Sequence, residues 1–334
     1  MRENRIHNYQ QIETLHNSKL IIFCTSDRGG LETIIAPDII SPLTNHLDAI
    51  GDVEKITLFI YTRGGSTLAA WSFVNLLRNF CKDLEIIVPF NCHSAGTLIC
   101  LGANKIIMTK QATLGPIDPS TNGLLNPAVV INNQQIKVPV SVEHVNGYLD
   151  MAKNDFKIKK SCDLKEVYLK LSEKIHPLSL GEVYRSKAQI QMLARKLLKN
   201  QNIEEKNIKE IIKFLCSDSG SHDYTINRKE VKDGLGLNME KPDQALYDII
   251  KAIYDDIESE LELRTPYQPA TLLGDNTTIN YSFHRGILES IDGGSDIFIS
   301  EGTLSKLPQQ QINQQIAIQD NRTFEGWRHI NPQT

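Results

Sequence analysis

The chain of 334 residues is first defined by what it lacks. No apolar run approaches the ~20 residues of a membrane-spanning helix. The longest, such as Ile56 to Tyr61 and Leu84 to Phe90, are far shorter. Met1 to Lys19 is polar and charged, without the apolar core of a signal peptide. These two absences point to a cytoplasmic chain. Charge of one sign is missing too. Lys and Arg number 36 against 40 Asp and Glu, for a net charge of -4 and a pI near 6.2. A nucleic-acid footprint would show as a basic excess, so no nucleic-acid partner is expected. Cysteine is present at Cys24, Cys81, Cys92, Cys100, Cys162 and Cys216, but in no C-x-x-C pair and no zinc-like cluster. That pattern reads as free thiols in a reducing compartment, with no metal. There is no G-x-x-x-x-G-K-S/T phosphate loop and no G-x-G-x-x-G dinucleotide turn. No cofactor is therefore expected, and an ATPase or adaptor would have to be a separate partner.

What is present reads as a folded globular protein, with 40% hydrophobic and 23% charged residues. At roughly 150 residues per domain, the length allows one large domain or two modest ones. Over the first part of the chain, apolar strands alternate with amphipathic helices. Leu20 to Cys24, Ile56 to Tyr61, Leu84 to Phe90 and Lys105 to Met108 predict strands. Pro37 to Ile50, Thr67 to Cys81 and Ser94 to Gly102 predict helices between them. Alternation at this spacing implies βα crossovers and a mainly parallel sheet. Asn122 to Pro139 reads as an irregular or β-rich loop, and Ser141 to about Cys216 as helical. Asn227 to Leu235 and Pro242 to Leu263 predict two more helices. Short strands follow at Thr278 to Phe283, Gly286 to Ser290 and Ser295 to Ile299. Asp292-Gly293-Gly294 is the hairpin turn between the last two.

Two strand-to-helix junctions carry the chemistry. Tyr61-Thr62-Arg63-Gly64-Gly65 places consecutive glycines where backbone N–H groups can approach a ligand without an intervening Cβ. Cys92-His93-Ser94-Ala95-Gly96-Thr97 places a serine among small residues at the next such junction. Its hydroxyl can be presented as a nucleophile, with the N–H of the following residue aimed at a developing oxyanion. It could equally cap the helix. The chain continues through Leu101-Gly102-Ala103-Asn104-Lys105-Ile106-Ile107-Met108 to Leu114-Gly115-Pro116-Ile117-Asp118-Pro119.

This order of motifs resembles the Clp/crotonase superfamily, and within it the serine dehydrogenase proteinases, relatives of the Clp protease peptidase subunit and of signal peptide peptidase A. Ser141-Val142-Glu143, His176-Pro177-Leu178 and Ser221-His222-Asp223-Tyr224 are similar to that family as well. The resemblance is strong over roughly Val53 to Ser120 and weaker to about Leu237. It implies a serine endopeptidase acting through an acyl-enzyme. Ser94 matches the nucleophile, the Ala95 and Gly65 N–H groups the oxyanion donors, and Gly64 the residue that shapes the turn. A peptide or protein substrate, and a homo-oligomer (trimer, hexamer or larger), follow from the same likeness.

The general base departs from the Clp pattern. Where the Clp subunit has its histidine, this chain has Asp118. Where the Clp subunit has its acid, this chain has His222, just before Arg228 to Leu235. The resemblance, adapted residue by residue, gives a triad of Ser94, His222 and Asp118, since a triad is defined by roles and not by chain order. A lysine dyad based on Lys137 or Lys153 is the rival. His93 adjoins Ser94, but adjacent side chains at a turn diverge. His176 reads as structural and Arg185 as an exposed helix charge. Arg63, beside the glycines, could contact a substrate carboxylate or carbonyl, or pair with Asp118. The alternatives in function are a signal-peptide-peptidase type Ser-Lys enzyme, a crotonase-like acyl-CoA enzyme and a non-catalytic Clp-fold scaffold.

The expected architecture is α/β: a Clp/crotonase-like core of repeated ββα and βα units with a mainly parallel sheet over 1–240. A helical insert falls at about 141–215. A helix and β-hairpin extension covers 241–307, and a flexible tail 308–334.

Overall fold

Continuous apolar runs become strands buried on both faces, because helices cover both sides of a parallel sheet. In the computed structural model, β1 (Lys19–Thr25) is buried at every residue after its first. The structure describes residues 2–330 other than 118–119, 122, 132–133, 202, 219–220, 222 and 313–314. Two compact units result, one formed by 1–114 with 227–334 and the other by 115–226.

In the first unit the strands are β1, β2 (Val53–Tyr61), β3 (Cys81–Val88), β4 (Asn91–Cys92), β5 (Lys105–Met108) and β6 (Thr113–Leu114). The helices between them are α2 (Ile40–Ile50), α3 (Thr67–Phe80) and α4 (Ala95–Leu101), after an N-terminal α1 (Arg2–His16). The second unit holds the short strands β7 (Ser120–Thr121), β8 (Ala128–Ile131), β9 (Gln134–Lys137) and β10 (Val140–Ser141), then helices α5 (Val142–Asn154), α6 (Ser161–Ser172), α7 (Pro177–Leu198) and α8 (Glu205–Lys213). The chain passes back through β11 (Ile226–Asn227) to β12 (Met239–Glu240), α9 (Gln244–Glu260), β13 (Thr278–Ser290), β14 (Gly294–Ile312) and β15 (Gln315–His329).

An eight-stranded sheet runs in the order β12-β5-β3-β2-β1-β13-β14-β15. Its first five strands are parallel neighbours, and β13 to β15 add antiparallel to β1. Strand alternation sorts the core. Leu20, Ile22 and Cys24 join Tyr9 and Ile12 of α1 and Ile250, Ile253 and Ile257 of α9 in one cluster. Phe23, pointing to the opposite face, meets Phe73 of α3 with ring centroids 5.0 Å apart.

The second unit has its own core of Val140, Val142, Val145, Leu180 and Val183. Ser141 starts α5 by accepting hydrogen bonds from the Glu143 and His144 N–H groups. His176 starts α7 by accepting from the Leu178 N–H, ahead of Pro177 in the first turn. That end of α7 gives His176 a structural task.

Four segments differ from the sequence expectations. The polar N-terminus is α1, held by a buried Arg5. The predicted helix Asn227 to Leu235 is a single π-helical turn, Glu230–Gly234, with Asn227 Oδ1 accepting from the Lys229 and Glu230 N–H groups. The two strands predicted at Thr278 to Ser290 are one strand with a bulge between His284 and Gly286. The tail expected to be flexible over 308–334 instead supplies β15, because Trp327 packs edge-on against Phe298 at 5.5 Å and reaches Phe23 at 6.4 Å. The C-terminal extension therefore shares the sheet of the core rather than following it, and the inserted unit is wider than 141–215.

Candidate active site

Thr62 follows the last residue of β2 and joins the two motif turns. Its N–H donates to the Asn91 carbonyl at 3.0 Å, and its carbonyl accepts from the His93 N–H at 3.0 Å. This parallel bridge to Cys92 runs along one edge of the segment. Three residues on, Gly65 bridges Ile35 on the other edge: the Gly64 carbonyl accepts from the Ile35 N–H at 2.8 Å, and the Ser66 N–H donates to the Ile35 carbonyl at 2.7 Å. A trans peptide holds its C=O and N–H on opposite sides. With the Gly64 carbonyl turned to Ile35, the Gly65 N–H is turned to the edge where the serine junction lies.

Both glycines are required sterically. Gly64 has φ +112°, and a Cβ there would stand 2.7 Å from the Ser94 Cβ and 3.1 Å from the Ala95 nitrogen. Gly65 has φ +145°, and its Cβ would meet the Ile35 carbonyl oxygen at 2.3 Å.

Ser94 precedes α4 with φ +51° and ψ −114°, and its hydroxyl makes no capping hydrogen bond. A non-glycine residue in such a conformation carries of order 1–3 kcal/mol of strain and persists only where its surroundings enforce it. Here the His93 N–H is tied to Thr62, the Gly96 N–H to the His93 carbonyl at 2.8 Å, and Thr97 Oγ1 to the Cys92 carbonyl at 3.0 Å. Gly96 leaves room for Thr62 and Cys92, since a Cβ there would lie 2.5 Å from Thr62 Cγ2. Ser94 remains half-exposed while Ala95 is buried. The Ala95 N–H, in the first turn of α4, has no intrahelical acceptor. The sharp strand-to-helix turn around an uncapped serine has the form of a nucleophile elbow.

His93 does not turn back to Ser94. Its Nε2 lies 2.9 Å from Thr113 Oγ1. Arg63 is exposed, with Nε 3.3 Å from Asp27. Tyr61 hydrogen-bonds Asp27, and burial, with Tyr254 and Asp27 beside it, pushes its phenol well above the ordinary range. The Cys92 thiol is likewise pushed up by burial, 3.6 Å from Cys100 Sγ. It is a packed thiol and not a reactive one. Among the described residues no disulfide joins any of the six cysteines, of which five are buried and Cys162 is exposed.

His222 and Asp118 lie outside the described residues, so the proposed base and its partner have no geometry here. Lys137 and Lys153 are exposed, and Lys137 Nζ donates to the Asn126 carbonyl at 3.2 Å. Arg185 is exposed on α7. Among the described residues, no group of three or more His, Cys, Asp or Glu could hold a metal ion, and no helix is long and apolar enough to cross a membrane. Sequence reasoning gave no role to Thr62, Thr25 or Ile35. Thr62 stood inside the motif, but its contacts are with residues far away in the chain.

The fold and this turn define an α/β protein with a serine elbow packed against a glycine turn. Residues 45–158 match the family described as ClpP-like SDH-type serine proteinase. Two uncharacterized proteins of Methanocaldococcus jannaschii are similar to it. One is 30% identical over 187 residues, 56% of this chain and 54% of the relative. The other is 28% identical over 200 residues, 59% and 56%. The chain spans about half the length of these curated relatives. Among solved structures, ClpP1 from Listeria monocytogenes aligns with a TM-score of 0.38 at 13% identity, covering 71% of this chain and 99% of that one. The 1510-N membrane-bound stomatin-specific protease aligns at 0.38 and 14%, covering 70% and 85%.

Proposed function

We propose that the protein is a serine endopeptidase with Ser94 as nucleophile. The observation that carries this reading is the backbone of Ser94, strained at φ +51° and ψ −114° with the hydroxyl left uncapped. A merely structural N-cap serine would spend its hydroxyl on an N–H in the first turn.

In this reading Ser94 Oγ attacks the substrate carbonyl carbon while its proton passes to the imidazole of His222, oriented by Asp118. The Gly65 and Ala95 N–H groups donate hydrogen bonds to the oxyanion of the tetrahedral intermediate between them, and Gly64 keeps the approach open. Collapse breaks the C–N bond, and the leaving amine takes the proton from the imidazolium. Water then repeats the sequence on the acyl-enzyme. Arg63, exposed beside the glycine turn and steadied by Asp27, offers a guanidinium to a carbonyl or carboxylate of the bound peptide. The exposure of Lys137 and Lys153 favours the histidine over a lysine dyad, because a lysine base must be stripped of its proton by burial.

The test is hydrolysis of a fluorescently labelled unfolded protein. Ser94→Ala abolishes turnover, and His222→Ala and Asp118→Asn each lower it by at least about a hundredfold. Full activity in His222→Ala would transfer the role of base to another residue. Turnover unchanged in Ser94→Ala would remove the peptidase assignment to this site.

A further inference from the structure

Thr62 is wholly buried and makes more connections than packing alone requires. Its Oγ1 accepts the Gly64 N–H at 3.0 Å. The same oxygen receives the Thr25 hydroxyl, from β1, at 2.8 Å. Its backbone holds Asn91 and His93 on either side of Cys92. Its methyl group lies against Gly96, inside the serine elbow. Each of these four links ends on one of the two turns or on the adjoining strand.

We propose that Thr62 is the positioning residue that fixes the oxyanion turn against the nucleophile elbow, through its side-chain hydroxyl and not through its bulk. This rests on the peptidase reading above. The Gly64 N–H bonded to Thr62 Oγ1 and the Gly64 carbonyl bonded to Ile35 determine the two peptide planes around Gly64. The second of those planes carries the Gly65 N–H. Glycine is the most freely rotating residue, so two consecutive glycines keep one orientation only if hydrogen bonds impose it. The backbone supplies the Ile35 anchor. The Thr62 hydroxyl supplies the other, and Thr25 holds that hydroxyl in its rotamer. Removing the hydroxyl frees the first plane and lets the donor swing away from the point where the oxyanion forms. A donor misplaced by about 1 Å forfeits on the order of a hundredfold in rate.

Hydroxyl and bulk separate cleanly in two variants. Thr62→Val keeps the shape and loses the hydroxyl. Thr62→Ser keeps the hydroxyl and loses the methyl. The measurement is the rate of Ser94 phosphonylation by a fluorophosphonate, with kcat and KM for a peptide substrate and the unfolding midpoint of each protein alongside. The expected result is a loss on the order of 10–100-fold in phosphonylation and kcat for Thr62→Val, with KM little changed. Thr62→Ser stays within about threefold of wild type even where its midpoint is the lower of the two. Should Thr62→Val fail to fold, Thr25→Val, which removes the donor one layer out, shows the same effect at several-fold size. Equal rates in wild type and the folded valine variant overturn the proposal. So do rates that follow the unfolding midpoints across the series, since that marks a packing role. A wild type that is not labelled at all removes the Ser94 assignment itself, and this inference with it.

Discussion

No side chain fits between Gly64 and Ser94, because a Cβ built on the glycine stands 2.7 Å from the serine Cβ. The two turns that the sequence places roughly thirty residues apart are in van der Waals contact through this pair. The site is therefore sensitive to a single methyl group, and the same geometry fixes where the strain of the elbow is held.

Gly64→Ala meets both that contact and a φ of +112°. It is expected to lower Ser94 labelling by at least about a hundredfold. Gly236→Ala is the control, with φ +65° but open space around the Cβ. It costs roughly 1–2 kcal/mol of stability and leaves the labelling of folded protein unchanged. Labelling rates of the two folded variants, side by side, give the answer. Equal loss in both would mean that backbone strain alone, and not the Ser94 contact, matters.

Strain at Ser94 should show as stability once function is removed. Glycine adopts φ +51° without penalty, while alanine keeps the Cβ that opposes it. Ser94→Gly is expected to be more stable than Ser94→Ala by about 1 kcal/mol, despite glycine's greater chain entropy when unfolded. Urea titration of the two inactive variants measures the difference. An alanine variant equal to or above the glycine one would contradict a strained elbow.

Acid stability follows from one buried carboxylate, Glu85, and one half-buried, Glu260. Burial would raise Glu85, but hydrogen bonds from His16 and Lys105, with Lys55 nearby, bring it from 4.5 to about 2. Burial opposes the same shift at Glu260, where His284 and Arg5 bring it to about 2. Each folded-state pKa is depressed, so the unfolded chain binds the protons first as pH falls. The contribution is complete above about 4.5 and is lost as pH drops towards 2. Unfolding free energy measured across this window should fall with decreasing pH. Glu85→Gln should make the fall shallower by about one proton's worth of slope, and an unchanged slope would assign the acid limb elsewhere.

Arg5 tests whether α1 belongs to the fold. Its guanidinium pairs with Asp256 at 2.5 Å, Glu260 at 2.7 Å and Glu289 at 2.8 Å, and Glu289 is wholly buried. Arg5→Ala leaves those carboxylates without their cation and should cost on the order of 3–5 kcal/mol. The urea midpoint reports this. A change below about 1 kcal/mol, the range of exposed pairs, would mean that α1 is dispensable.

Much of the site was legible because it is local. The glycine turn and the serine junction each occupy a few consecutive residues, and the apolar runs before them announce the strands. What escaped was long-range or polar. The buried face of α1 is Arg5, Tyr9 and Ile12, a helical spacing with an arginine at its head, so hydropathy does not reveal it. β15 is rich in polar residues, as an edge strand can be, and only its pairing with β14 and the seat of Trp327 against Phe298 explain its order. Thr62 was visible as a letter in a motif. Its role depends on Thr25 and Gly96, which the fold brings to it from either side.

The central claim is that Ser94 is the nucleophile, and mapping the adduct of a fluorophosphonate by peptide mass spectrometry tests it most directly. The account predicts a single modified peptide containing Ser94, abolished in Ser94→Ala and retained in the correctly folded Ser66→Ala, whose hydroxyl caps α3 by accepting from the Ala69 N–H. Wild-type protein left unmodified at Ser94, or labelled to the same extent when Ser94 is alanine, would contradict it.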